Sequence, residues 1–215
     1  MPPLLLIDLD DSLIDRSGSF AAWARGFCAE CGRDGDLDWL IEQDRNGYAD
    51  RGELFALVRE RFGLAETVDE LLERYREEHP RHTIPPSPEA LERLELLRAS
   101  GWRVGVVTNG HPVQLVKLAA AGLTERVDAC VVSEIAGVRK PDPRIFRLAA
   151  ERCGASLDGA WMAGDNPDAD LRGAHALGLR TIWFRLGRTW TEQDFEPTLA
   201  VDSLEEALAH LAQLP

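Results

Sequence analysis

The sequence predicts a doubly wound α/β fold, a parallel sheet covered by helices, with a small helical domain inserted into it. Three observations carry that reading. Short apolar runs without polar interruption, beginning with Leu4-Leu5-Leu6-Ile7, have the pattern of strands buried on both faces. Beyond Gly101 these runs alternate with helical stretches, as parallel strands joined by right-handed crossovers do. Between the first run and the rest lies a charged helical segment with no run that could form a buried strand. At 215 residues the chain is long enough for such a core and an insertion.

In chain order, the first strand stops abruptly at Asp8-Leu9-Asp10-Asp11-Ser12-Leu13. In the segment that follows, Phe20, Trp23, Ala24 and Phe27, then Leu54, Phe55, Leu57, Val58 and Phe62, recur at helical spacing between glycines. The segment closes at Ile84-Pro85-Pro86-Ser87-Pro88, a stiff link in which Ser87 and Pro88 suit the N-cap and first position of a helix ending at Ser100. Further strands are expected at Val104 to Val107, Ala129 to Val132, Ala160 to Ala163, Thr181 to Phe184 and Leu199 to Val201. Helices should lie at about Pro112 to Ala121, Pro143 to Cys153, after Asp165 as far as Leu177, and Ser203 to Leu211. The core is thus residues 1–15 and 86–215, and the insertion 16–85.

A formal net charge of −13 argues against a binder of nucleic acid polymers or anionic membranes, which needs clustered Lys and Arg. The N-terminus has no basic region, and Asp8 cuts its apolar run short of a signal or spanning segment, so a cytoplasmic location is expected. Cys28 and Cys31 form a CxxC with no second pair or His ligand at metal spacing, and all four cysteines read as ordinary, mostly buried thiols. His79, His82, His111, His175 and His210 form neither a triad nor a metal spacing.

Polar residues concentrate at the strand ends. Asp8 and Asp10 follow the first strand, Thr108 and Asn109 the second, Lys140 lies in the loop beyond the third, and Asp165 and Asp170 follow the fourth. In a parallel sheet these ends open onto one edge, where α/β proteins bind ligands. Asp8, Asp10 and Asp165 offer hard oxygen ligands of the kind that suit Mg²⁺. Asp8 and Asp10, two apart, would share a face if the strand ran through them. The chain has two lysines, Lys117 and Lys140, against 22 arginines, so an ammonium at position 140 reads as a point charge for phosphate oxygens. Asp11, Asp15 and Asp168 read as caps or solvated residues.

Four motifs in order, Asp8-Leu9-Asp10-Asp11-Ser12-Leu13, Thr108-Asn109-Gly110, Ser133 to Asp142 with Lys140-Pro141, and Gly164-Asp165 through Asp170 with Gly173-Ala174, resemble those of the haloacid dehalogenase-like hydrolases, and specifically its small-helical-cap phosphatases. The resemblance implies a Rossmann-like core with the insertion as a small helical cap. It implies Asp8 as the nucleophile that forms an aspartyl-phosphate and Asp10 as the acid that protonates the leaving oxygen and later activates water. Thr108 and Asn109 would serve the phosphoryl group, Lys140 would neutralise charge, and Asp8, the Asp10 carbonyl and Asp165 would hold Mg²⁺, with Asp170 ordering Lys140 or metal-bound water. The dehalogenases of the family lack the second aspartate, so Asp10 favours phosphate chemistry. Asp11 and Ser12 stand where Gly and Thr are commoner.

The expected function is therefore Mg²⁺-dependent hydrolysis of a small phosphate monoester, a nucleotide or sugar phosphate, by a monomer or weak dimer. A phosphomutase of the same family and a catalytically silent regulatory or scaffold protein are the alternatives. Arg45, Tyr48, Arg51 and His82 are candidates for substrate selection by the cap.

Overall fold

The computed structural model describes residues 1–214 and divides the chain into two compact units, Met1–Ile14 with the chain from Pro85 onward, and Asp15–Ile84. The first unit holds a six-stranded parallel sheet of β1 (Leu4–Ile7), β2 (Arg103–Thr108), β3 (Ala129–Val132), β4 (Trp161–Gly164), β5 (Arg180–Phe184) and β6 (Leu199–Val201). Their order is β3-β2-β1-β4-β5-β6, with β1 central and the chain reversing direction across it. Every residue of β1 and β4 is buried, as uninterrupted apolar runs require. Leu5 and Ile7 pack with Leu94, Leu97, Leu118 and Leu208 on one face, and Leu4 and Leu6 with Ile145, Phe146 and Ala149 on the other. The strand begins and ends one residue away from the expected place at β4, and β2 and β5 gain an exposed arginine at their start.

The Asp15–Ile84 unit is helical: α1 (Arg16–Glu30), α2 (Leu37–Asp44), α3 (Arg51–Phe62) and α4 (Val68–Glu78). Three of them have a local reason to start. Asp15, Asp50 and Thr67 cap α1, α3 and α4, and Thr67 with Glu70 completes a capping box. Phe20, Trp23, Phe27, Leu54, Phe55, Val58 and Phe62 form its core, with Tyr75 packed against them. Asp44 lies buried at the end of α2, accepting from both guanidinium nitrogens of Arg16, from Arg51 at 2.6 Å and from the Gly47 amide at 2.9 Å.

Around the sheet run α5 (Pro88–Ala99), α6 (Val113–Ala120), the short α7 (Ser133–Ala136), α8 (Pro143–Arg152), α9 (Gly173–His175) and α10 (Leu204–Leu211). Ser87 caps α5 with Pro88 in its first turn, as the link composition predicts. The helix expected after Asp165 is different in kind: Pro167–Arg172 is a wide π-helical stretch followed by one turn of α-helix. A period of 3.6 in the sequence cannot announce that widening, and such stretches recur at functional sites. All four cysteines are free thiols, with Cys28 and Cys153 buried. Among the described residues no helix is long and apolar enough to cross a membrane.

Candidate active site

The register of the central strands assembles the site. β1 pairs Ile7 with Val106 of β2 and Ala163 of β4, and the Asp8 amide continues the ladder by donating to the Ala163 carbonyl at 2.9 Å. Asp8, Thr108 and Asp165 therefore leave three adjacent strands at one edge. The chain then turns: both Leu13 and Ile14 amides return to the Leu9 carbonyl at 3.0 Å, and Asp11 takes φ +53. Asp tolerates that left-handed conformation better than most residues, which accounts for Asp11 where glycine is commoner.

Lys140 is buried, and its ammonium lies 2.7 Å from Asp8 Oδ1 and 2.6 Å from Asp170 Oδ1. Its backbone is clamped by Asn109, whose Oδ1 accepts from the Lys140 amide at 2.8 Å while its Nδ2 donates to the Lys140 carbonyl at 3.0 Å. Asn109 thus fastens the lysine loop to the end of β2, across 31 residues of sequence. The Gly110 amide donates to Ser133 Oγ at 2.9 Å, tying the same loop a second time. Asp170 comes into reach because Gly164 and Gly173 have no side chain. A Cβ on Gly164 would collide with the Asp170 carboxylate, and one on Gly173 would lie 2.6 Å from the Pro141 carbonyl.

Asp8, Asp165 and Asp170 are all buried, with one carboxylate oxygen from each within 4.8 Å of the others. Three carboxylates against the Lys140 ammonium and the Arg188 guanidinium leave an excess of negative charge. Burial pushes Asp8 up to about 8, against the pull of Lys140 and with repulsion from Asp170 and Asp165. Burial and Asp170 likewise push Asp165 up to about 7, with Asp11 adding to the repulsion and Arg188 opposing it. Burial opposes the Lys140 charge, but Asp170 and Asp8 outweigh it and raise its pKa. Oxygen donors that repel one another at this spacing suit a hard divalent cation.

Residues 34–178 match the family model of the haloacid dehalogenase-like hydrolases. The chain belongs to the haloacid dehalogenase-like hydrolases. It is 36% identical over 150 residues to a phosphoserine phosphatase of Thermus thermophilus, covering 69% of this chain and 59% of that protein. It is 30% identical over 165 residues to (S)-2-haloacid dehalogenase 1 of a Pseudomonas species, covering 75% and 66%. The chain spans from 43% to 59% of the length of the first curated relatives it matches. In fold it is similar to the HAD-hydrolase YfnB of Bacillus subtilis, solved bound to magnesium, with a TM-score of 0.73 at 23% identity over 98% of both chains.

Within this hydrolase frame the residues singled out by sequence fall into two groups. Asp8, Thr108, Asn109, Lys140, Asp165 and Asp170 stand together at the sheet edge, with Asp170 ion-paired to Lys140. β1 ends at Ile7, so Asp8 and Asp10 lie beyond the extended strand, and Asp10 pairs with Lys117. In the helical unit Arg51 is paired with Asp44 and lies over the rings of Phe20 and Tyr75. Arg45 and Tyr48 are exposed, and Arg45 adopts φ +51. His82 ends the short 3-10 turn His79–His82.

Three functional neighbours escaped the sequence reading. Arg188 donates to the Asp165 carbonyl at 2.7 Å and to its carboxylate at 3.2 Å, and nothing in the local sequence marks it among 22 arginines. Gln114 and Lys117 hold the Asp10 carboxylate. The scarcity of lysine, which singled out Lys140, would have singled out Lys117 as well.

Proposed function

We propose that the protein is a Mg²⁺-dependent phosphatase of small phosphate monoesters that works through an aspartyl-phosphate on Asp8. The observation that carries phosphate over halide chemistry is Asp10, a second carboxyl group whose side chain is 29% exposed, held by Lys117 and by Gln114, which also bonds Thr108. A carboxyl group there, protonated at the outset, can give its proton to an alkoxide leaving group and, as the resulting carboxylate, later take one from water; displacement of halide needs no such donor.

In the first step an Asp8 carboxylate oxygen attacks phosphorus, the bond from phosphorus to the ester oxygen breaks, and Asp10 protonates the departing alkoxide. In the second, Asp10 takes a proton from water as the water oxygen attacks phosphorus, and phosphate leaves with Asp8 regenerated. Lys140, bonded to one oxygen of Asp8, fixes the nucleophile and offsets charge on the phosphoryl oxygens. Thr108 Oγ accepts a hydrogen bond from Gln114, so its own hydrogen is left to donate to a phosphoryl oxygen. Asp8, Asp165 and the Asp10 carbonyl would hold Mg²⁺ with Asp170 beside them, and the ion would supply Lewis-acid charge compensation. Selection among esters falls to Arg45 and Tyr48, since Arg51 is taken up by Asp44.

The test is release of phosphate from a panel of sugar, nucleotide and amino-acid monophosphates, alongside release of halide from 2-haloacids, with Mg²⁺ and in chelator. Phosphate release that vanishes in chelator and returns with Mg²⁺ is expected. Halide release in chelator would favour the chemistry of the dehalogenase relatives, and an isomerised sugar phosphate without free phosphate would indicate a mutase.

A further inference from the structure

Helix α6 turns two polar residues inward beside the core residue Leu118. Its polar residues Gln114 and Lys117 are 3% and 4% exposed, whereas the apolar Leu115 and Val116 on the opposite side are 41% and 55% exposed. A buried polar pair facing inward while apolar residues face water runs against the ordinary patterning of a surface helix and has to be explained by what the pair touches.

It touches the Asp10 carboxylate and the Thr108 hydroxyl. Lys117 Nζ donates to Asp10 Oδ1 and, at 2.8 Å, to Gln114 Oε1. Gln114 Nε2 donates to Asp10 Oδ2 at 3.0 Å and to Thr108 Oγ1 at 2.7 Å. The chemistry leaves no freedom in this arrangement. An ammonium only donates, so the amide oxygen of Gln114 must face Lys117; the amide nitrogen then faces Asp10 and Thr108, and both must accept. Each oxygen of Asp10 is met by its own donor, so the plane of the carboxylate is set as well as its place. With positions 114 and 117 three apart on one helix face, both donors come from a single rigid element. The chain's other lysine does the corresponding thing for Asp8, so both lysines of the protein serve carboxylates of the first motif, Asp8 and Asp10.

We propose that Gln114 and Lys117 are positioning residues that fasten Asp10 and Thr108 into one unit, aiming the proton donor at the leaving oxygen while Thr108 faces the phosphoryl group. The proposal rests on the phosphatase reading and adds to it a dependence on the leaving group. Transfer to Asp8 needs the proton of Asp10 when an alkyl ester departs, and does not when a stabilised phenolate departs.

The experiment compares kcat/KM, which reports the steps up to formation of the aspartyl-phosphate, for glycerol phosphate and for 2,4-dinitrophenyl phosphate. Lys117→Met should lower the value roughly 10²-fold for the alkyl ester, the low end of what a positioned general acid supplies, and leave the aryl ester within about threefold. Lys117→Arg, which keeps a cationic donor, should recover part of the loss. In an Asp10→Asn background Lys117→Met should cost nothing further, because the group it positions is no longer an acid. Equal slowing of both esters, or an undiminished loss in the Asp10→Asn background, would show a merely structural lysine and overturn the proposal. Should Lys117→Met fail to fold, Gln114→Leu, which keeps the ammonium, must show the same preference for slowing the alkyl ester or the proposal fails. Wild-type protein inert toward both esters would sink the phosphatase reading itself, whereas active wild type with unselective variants sinks the positioning role alone.

Discussion

Each unit of the molecule buries a cluster of charge, and the two clusters are balanced in opposite ways. In the helical unit one carboxylate, Asp44, is shared by two guanidinium groups and a backbone amide, so its lone pairs are filled by the protein itself. Burial works against its charge, but the bonds to Arg16 and Arg51 prevail and hold its pKa below the ordinary carboxylate range. At the sheet edge Asp8 and Asp170 share the Lys140 ammonium while Asp165 meets only Arg188 at its rim, and the pKa values of Asp8 and Asp165 rise instead. A cluster completed by its own residues is structural; one left with surplus charge in a buried place is prepared for a cation or a substrate. The difference separates the frame from the chemistry without reference to any relative.

Aspartate substitutions in the two clusters should diverge most sharply. Asp8→Asn is expected to abolish phosphate release, a loss of roughly 10⁴-fold or more, while thermal unfolding stays level or shifts upward as repulsion is relieved. Asp44→Ala should do the reverse, costing about 3 to 5 kcal/mol in denaturant unfolding because it strands the buried Arg16 charge. Arg51→Ala should behave as a milder version of it. A stable Asp44→Ala protein would mean that the helical cluster is not what it looks like.

Metal addition sharpens the same contrast. Mg²⁺ at about 100 times its Kd should stabilise the protein by about 2.7 kcal/mol through mass action. Asp165→Asn should erase the shift and Asp44→Ala preserve it. A thermal shift that survives Asp165→Asn would place the ion elsewhere.

Acidity should also act on the clusters with opposite sign. In the metal-free protein, Asp8 and Asp165 bind protons when folded at values of about 8 and about 7, well above their unfolded values, so the folded state holds extra protons between roughly pH 4 and pH 8. Stability must therefore fall as pH rises through that window, by at most about 1.4 kcal/mol per pH unit for each extra proton. Asp44, with a lowered pKa, contributes stability that is full above its unfolded pKa and lost as pH falls through its folded one. Hydrogen exchange across the pH range should show protection at the sheet edge weakening toward alkali, a trend that Asp8→Asn flattens, and α1 to α3 weakening toward acid. The smallest effects belong to the exposed Arg45 and Tyr48, whose alanine variants should alter kcat/KM by roughly two- to fivefold, the scale of an exposed ion pair, and differently for different esters. Uniform effects across esters would remove them from substrate selection.

What the sequence determined by itself was local. An apolar run that ends in carboxylates makes a buried strand with a polar edge, Asp15 caps α1, and Ser87-Pro88 starts α5, because each depends on residues within a turn or a strand of one another. The six strands were legible for that reason, and so were the motif residues at their ends. Tertiary structure alone decided the pairings. Lys117 meets Asp10 across 107 residues and Lys140 meets Asp8 across 132, and no periodicity carries such distances. On α6 Leu118 turns into the core as an apolar residue does, and the site claims the same face for Gln114 and Lys117 while Leu115 and Val116 stay exposed. The widened turn that carries Asp170 to Lys140 is invisible for the same reason, since it arises from closure of one strand end against another.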